Sequence, residues 1–410
     1  MLHIDTSILI YKLNNQYMKK YNFDEEIERY GTNSIKYDTV KDIWNRDDLI
    51  PMWVADMDFP TPSFIIKKLQ EKLSTRILGY TSPYKEYFQS IIEWNRKRYG
   101  LDIRAEEIKQ VPGVVAGIRN AIQALTQKGD NIMIMEPVYH PFRNVTEATG
   151  RNIINCPLLL SKGRYAIDFL TMETLLPKCE ILIFCNPHNP GGFTWDKYTL
   201  IKVAELCDKH NVIIISDEIH ADLTLPGFTH TPMLSVSDAA RRICITLQSP
   251  SKAFNMPGVI GANAIIKNKI LSEKYFNYLH NTDSDLFSVF SYECIRSCYT
   301  NEGDEWLNEL LSYVKTNIDY VCKFCSKYLP HIKPLIPEAS FLIFLDCREL
   351  NFTNQDELVN FFVDKAHLAL NSGDIFGKEG VGFMRLNVGC TMKTLQKAML
   401  QLKEAYNSIY

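Results

Sequence analysis

The residues of this chain that could do chemistry stand in short proline- and glycine-rich phrases, each following an apolar run. Lys252 lies in Ser249-Pro-Ser-Lys-Ala-Phe-Asn, after "ICITLQ". A lysine in isolation is by default a solvated structural one. At a strand end, an amine whose pKa is lowered by burial or nearby positive charge can form a Schiff base with a carbonyl. Asp217 closes the run "VIIISDE". A carboxylate there is either a helix N-cap or the partner of a buried cation such as a protonated ring nitrogen, because burying it alone is costly.

Asn189 lies in Asn186-Pro-His-Asn-Pro-Gly-Gly. A structural turn accounts for the prolines and glycines there, but not for the two amides. Tyr139, in Pro137-Val-Tyr-His-Pro-Phe, either fills core or stacks on an aromatic ring. Ser249 and Ser251 offer hydroxyls to an anion. So do the backbone amides of Gly113-Val114-Val115, a glycine turn opening a helical pattern. Ser249 and Lys252 also fit the Ser-x-x-Lys of serine acyl-enzymes, which needs Ser-Asp-Asn and Lys-Thr-Gly companions. The chain carries Ser216-Asp-Glu and Lys315-Thr-Asn instead, so that set is incomplete.

These phrases need elements to hold them. Asn131–Met135, Glu180–Cys185, Val212–Ser216 and Ile243–Leu247 carry apolar residues in continuous rather than alternating order, bounded by polar or turn residues. Such runs read as strands buried on both faces of a mostly parallel sheet, with the helical patterns between them as crossovers. Residues 258–266 are a further strand candidate. In open α/β sheets ligands bind beyond the carboxyl ends of the strands, so the polar phrases converge although far apart in sequence. After residue 300 a long helical pattern (303–329) precedes "PEASFLIFLD" and "GFMRLNVG", which read as a smaller α+β domain. The expected division is an extension (1–17), a segment packing with the small domain (18–60), a large domain (61–300) and a small one (301–410).

The bulk properties narrow the partners. A chain of 410 residues suits two domains. A net charge of −3 with no basic block gives no case for nucleic acid or anionic membrane. Eleven cysteines, an odd number without framework spacing, read as reduced thiols of a cytoplasmic protein. The lone Cys322-Lys-Phe-Cys325 pair is weak as a zinc signal, and no metal is expected. The N-terminus has neither a basic start nor a cleavage site, and no apolar run reaches membrane length.

Taken in order, PVYHPF, NPHNPGG, SDEIH and SPSKAFN resemble the fold-type I pyridoxal-phosphate enzymes of the class I/II aminotransferase superfamily. The spacings agree, with about 28 residues from Asn189 to Asp217 and about 35 from Asp217 to Lys252. The phrases "WVADMDFPTP", "GYTSP", "CNPHNPGG" and "SDEIHADL" are similar to the narrower subgroup of C–S β-lyases. The resemblance implies a seven-stranded, mostly parallel sheet sandwiched by helices and pyridoxal 5′-phosphate as cofactor. Lys252 would bond to it and act as base, Asp217 would pair with its ring nitrogen, and Asn189 would reach its ring hydroxyl. Tyr139 would stack on the ring, and His220 stands where many aminotransferases place a tyrosine. Ser249, Ser251 and Gly113, Val114 and Val115 would hold the phosphate. Tyr80 would reach the phosphate of the neighbouring subunit, which implies a homodimer.

Arg385 would bind the substrate carboxylate, with Ala55 and Asn189 beside it. The implied reaction is α,β-elimination of a sulfur-containing amino acid, cystathionine or cysteine, to pyruvate, ammonia and a thiol. An aminotransferase, or a cofactor-bound regulatory protein with residual lyase activity, remains an alternative on the same scaffold. Three places depart from the pattern: Ile260 where the superfamily often has arginine, Phe193 where the subgroup does, and Ala339-Ser-Phe-Leu in place of Gly-Thr-Tyr-Leu.

Overall fold

The computed structural model describes residues 20–409, and the expected extension over 1–17 lies outside them. Seven strands build the main sheet: β1 (Ile108–Val111), β2 (Asn131–Ile134), β3 (Asn152–Asn155), β4 (Ile181–Cys185), β5 (Ile213–Asp217), β6 (Cys244–Gln248) and β7 (Ala262–Ile265). Their order is β1-β7-β6-β5-β4-β2-β3. The strands β2 to β6 run parallel, while β7 lies antiparallel to both β6 and β1.

The unbroken apolarity of the central strands has a direct cause. Ile181 and Ile183 of β4 face one layer, with Ile215, Leu247 and Ile118 and Ile122 of helix α1 (Val114–Leu125). Their neighbours Leu182 and Phe184 face the other layer, with Ile214, Leu200 and Val203. Side chains alternate across a strand, so a sheet covered on both faces demands apolar residues at every position. Truncating one of these to alanine, Ile183 for example, removes about 2–5 kcal/mol. Strands β1 (Ile-Lys-Gln-Val) and β3 (Asn-Ile-Ile-Asn) carry no such run and were not legible as strands. Both are edges, and β3 is exposed or half-buried along its whole length.

A second, antiparallel sheet has the order β8-β9-β11-β10, from β8 (Lys333–Leu335), β9 (Leu342–Asp346), β10 (Asn371–Ser372) and β11 (Phe383–Asn387). It packs with helix α2 (Asn301–Tyr328), whose Thr300 N-cap accepts from the Gly303 amide at 3.0 Å. Leu307, Leu310, Val314, Ile318 and Val321 form the buried stripe of α2 at helical spacing. Upstream, Ile50–Pro51 pairs in parallel with Leu368–Ala369. That pairing lays residues 53–58 alongside β11, between the two sheets. Among the described residues no helix is long and apolar enough to cross a membrane.

Candidate active site

Parallel register brings the strand ends level: Cys185 of β4 pairs with Asp217 of β5, and Asp217 with Leu247 of β6. The loops that follow therefore leave the sheet together and enclose a cavity of about 300 Å³. Asn189 enters it from the loop after β4, and Asp217 and His220 from the end of β5. Ser249, Ser251 and Lys252 enter from the turn after β6, and Tyr139 from the loop after β2. Gly113, Val114 and Val115 line it at the start of α1, and Ala55 closes it from the N-terminal segment. Two further sequence candidates stand apart from this wall. Arg385 joins it through Asn189, whose side-chain oxygen accepts from Nη1 at 3.1 Å. Tyr80 is fully exposed and does not line the cavity of its own chain.

Burial sets the charges in the cavity. The Asp217 carboxylate accepts from the Ile219 amide at 3.0 Å, the turn contact that a short acidic side chain makes with its own backbone. Burial pushes its carboxyl up to about 7, against that hydrogen bond, with the adjacent Glu218 adding to the rise and Lys252 opposing it. Burial and the nearby Arg385 pull the Lys252 amine down to about 8, opposed by Asp56 and Asp217. His220 is held to about 3 by burial, then by Lys252 and Arg385, so it is neutral, and its Nδ1 is buried with no hydrogen-bond partner among the described residues. Burial lowers Arg385 to about 10. Its guanidinium sits over the Phe376 ring at 4.8 Å, and no carboxylate pairs with it among the described residues. Among the described residues, the cavity thus holds a buried carboxylate with no ion-pair partner, and behind Asn189 stands a guanidinium with none, both costly unless a ligand supplies the missing charges.

The far end of the cavity suits an anion. Gly113 has φ +151°, a conformation that other residues rarely adopt, and no side chain caps the first amides of α1. The Ser249 hydroxyl donates to the Gly261 carbonyl at 2.7 Å and lies 3.0 Å from that of Ser251. Lys252 Nζ instead donates to the Ala55 carbonyl at 2.8 Å. The Ser-x-x-Lys pairing of an acyl-enzyme is therefore not made. A phosphorylated pyridine aldehyde fits these residues: an amine for the aldehyde, a buried carboxylate for the ring N–H, Tyr139 as an aromatic wall and the helix start for the phosphate.

Residues 47–402 match the sequence family "Aminotransferase class I and II". The chain belongs to that family. Its fold is the fold-type I fold of pyridoxal-phosphate-dependent enzymes, and the family's cofactor is pyridoxal 5′-phosphate. The cystathionine β-lyase PatB of Bacillus subtilis is 39% identical over 94% of this chain and 99% of its own. Among solved structures, cystalysin from Treponema denticola, which contains pyridoxal 5′-phosphate, is 33% identical with a TM-score of 0.91, covering 95% of this chain and all of its own. The pyridoxal-phosphate-bound C–S lyase from Staphylococcus hominis is 30% identical with a TM-score of 0.87, covering 95% and 99%.

Within this aminotransferase-family site the departures take definite places. Ile260 lines the anion end and is 64% exposed, so the described cradle there is uncharged. Phe193 lies outside the cavity wall, stacked on His188 at 4.8 Å beneath the Arg164 guanidinium. Sequence reasoning missed Asn255 and Asn387, whose carboxamides hold the 53–58 backbone. Their only local signal is position, three residues after Lys252 and two after Arg385, because an asparagine near a loop reads as a turn former.

Proposed function

We propose that this chain is a pyridoxal-phosphate-dependent C–S β-lyase acting on cystathionine- or cysteine-type amino acids. The similarity to C–S lyases supports the sulfur-containing class, and the observation that carries an amino-acid substrate is Arg385: a buried guanidinium without a carboxylate partner among the described residues, near an amine lowered to about 8. A planar donor of this kind takes an α-carboxylate through two parallel hydrogen bonds. When bound, the cofactor supplies an aldehyde for the substrate's amine and a pyridinium ring that accepts the electron pair left at Cα.

The chain's own residues do the rest. Arg385 and Asn189 orient the carboxylate, and that fixes which Cα bond faces Lys252. The Lys252 amine, neutral at mildly alkaline pH, takes the Cα proton. The Asp217 carboxylate would keep a proton on the cofactor's ring nitrogen, a role suited to a fully buried acid. The Cα–H and Cβ–S bonds break, the sulfur departs as thiolate, and the enamine left takes up one water. The products are pyruvate, ammonium and thiol.

The chain acts as a homodimer in this reading. Tyr80 is fully exposed beside exposed Leu73, Ile77 and Leu78, an apolar stretch that a second copy would cover. The tyrosine of each copy would then reach the phosphate end of the other site. Eleven cysteines without a disulfide support a reducing, cytoplasmic setting.

The test is to incubate the holoenzyme with cystathionine, cysteine and a 2-oxo acid, then measure pyruvate, thiol and new amino acid. Acceptor-independent pyruvate and thiol are expected, with both they and the Schiff-base absorbance lost in Lys252→Ala. New amino acid formed only with the 2-oxo acid would reassign the chain as an aminotransferase.

A further inference from the structure

Residues 53–58 form a thin partition. On one side lies the cavity described above; on the other lies a larger one of about 640 Å³, and Ala55 and Lys252 belong to the walls of both. Trp53 and Met57 anchor the ends of this segment by packing, but Ala55 between them has open space on both sides, so the position of its backbone depends on what grips it.

Two carboxamides do so from opposite directions. Asn387 Nδ2 donates to the carbonyls of Val54 and Asp56 at 2.6 and 2.7 Å, while its Oδ1 accepts from the Gly389 amide at 2.7 Å. The grip therefore flanks Ala55 on both sides. Asn255 Oδ1 accepts from the Met57 amide at 2.9 Å, and its Nδ2 donates to the carbonyls of Met57 and Phe59 at 2.9 and 2.6 Å. Asn387 lies two positions beyond Arg385 on β11, and strand alternation puts both side chains on one face. Asn255 ends the turn that carries Lys252, at φ +48°. The partition is thus tied both to the strand bearing Arg385 and to the turn bearing Lys252. Farther along it, Arg29 makes a bidentate pair with Asp56 and a bond to Asp58, which also receives buried Lys36 at 2.9 Å.

What the grip fixes is the Ala55 carbonyl, 2.8 Å from Lys252 Nζ. Whenever this amine is not bonded to the cofactor, that carbonyl accepts one of its N–H bonds and so directs its lone pair. It also faces the positive charge that appears on nitrogen as the Cα proton arrives, and a fixed dipole stabilises that charge without reorganising. We propose that Asn387 and Asn255 are positioning residues for the Cα proton transfer, acting through the Ala55 carbonyl on the Lys252 amine. The proposal rests on the assignment of Lys252 as the base.

The test follows exchange of the L-alanine α-proton with solvent deuterium by NMR, on holoenzyme, in Asn387→Ala and Asn255→Gly. Alanine has no leaving group, so the readout is proton transfer separated from C–S cleavage. The glycine variant removes the carboxamide while tolerating the left-handed backbone, and it carries the test if Asn387→Ala does not fold. Exchange should fall roughly 10- to 100-fold at unchanged cofactor content, the scale of a misplaced catalytic group. Exchange at the wild-type rate, or lost only in proportion to lost cofactor, overturns the proposal. Wild-type enzyme that exchanges no α-proton would instead overturn the role of Lys252. Wild-type exchange without thiol release from cystathionine would overturn the lyase reading alone.

Discussion

Arg385 and Asn189, 196 residues apart in the chain, meet through a 3.1 Å hydrogen bond between a guanidinium from the second sheet and a side-chain oxygen beyond β4 of the main one. The residue proposed to bind the substrate and one proposed to bind the cofactor are thereby set against each other. A relative shift of the two sheets would be felt at the Cα of the substrate.

Arg385→Lys keeps the charge but loses the planar fork. Its kcat/KM for cystathionine should fall about 10- to 100-fold, the worth of a charged hydrogen bond, with most of the change in KM. Steady-state kinetics with the holoenzyme check it. A variant within twofold of wild type would place the carboxylate elsewhere.

Asp217 links pH to the stability of cofactor-free protein. Its folded pKa is raised to about 7, above an ordinary value near ~3.9, so between these values the folded state binds more protons than the unfolded one. This group alone therefore makes stability fall as pH rises from about 4 to 7. Asp217→Asn should flatten that dependence in urea unfolding of the cofactor-free protein, and should bind pyridoxal phosphate more weakly. An unchanged slope would show that the carboxyl titrates normally.

Ile260 borders the anion end, and its Cγ2 stands 3.9 Å from where a Cβ on Gly113 would lie. Ile260→Arg places a guanidinium there, and charge-assisted bonds to phosphate are roughly twice as strong as neutral ones. Cofactor loss on dialysis should slow several-fold, read from the absorbance retained. Equal or faster loss would mean that the arginine does not reach the phosphate.

Behind Asp217, Glu218 is wholly buried and accepts from the Met233 amide at 2.9 Å and the Ser216 hydroxyl at 3.0 Å, with His230 Nε2 at 3.1 Å. It ties the end of β5 to the loop at 230–233. Glu218→Ala leaves buried donors without an acceptor and should cost about 2–4 kcal/mol in denaturant unfolding. A loss below about 0.5 kcal/mol would mean the donors find other partners.

Several features of this protein were already settled in the linear chain. The central strands β2, β4, β5 and β6 were legible because burial on both faces leaves an apolar run with no alternation. Lys252, Asp217, Asn189 and Tyr139 could be read as a set because each follows such a run, and parallel strands end level. The edge strands β1 and β3 escaped because polar residues break their apolar runs, Lys109 and Gln110 in the buried β1 and Asn152 and Asn155 in the more exposed β3.

Other features exist only in three dimensions. The pull of burial on Asp217 and Lys252 depends on how completely the loops close over them. The charge on Arg385 matters because the fold brings it to Asn189 with no carboxylate paired to it among the described residues. The roles of Asn255 and Asn387 depend on which distant carbonyls their amides reach. Residue type and spacing specify what a side chain can do; only packing decides its dielectric surroundings and its partner, and these set its charge and direction.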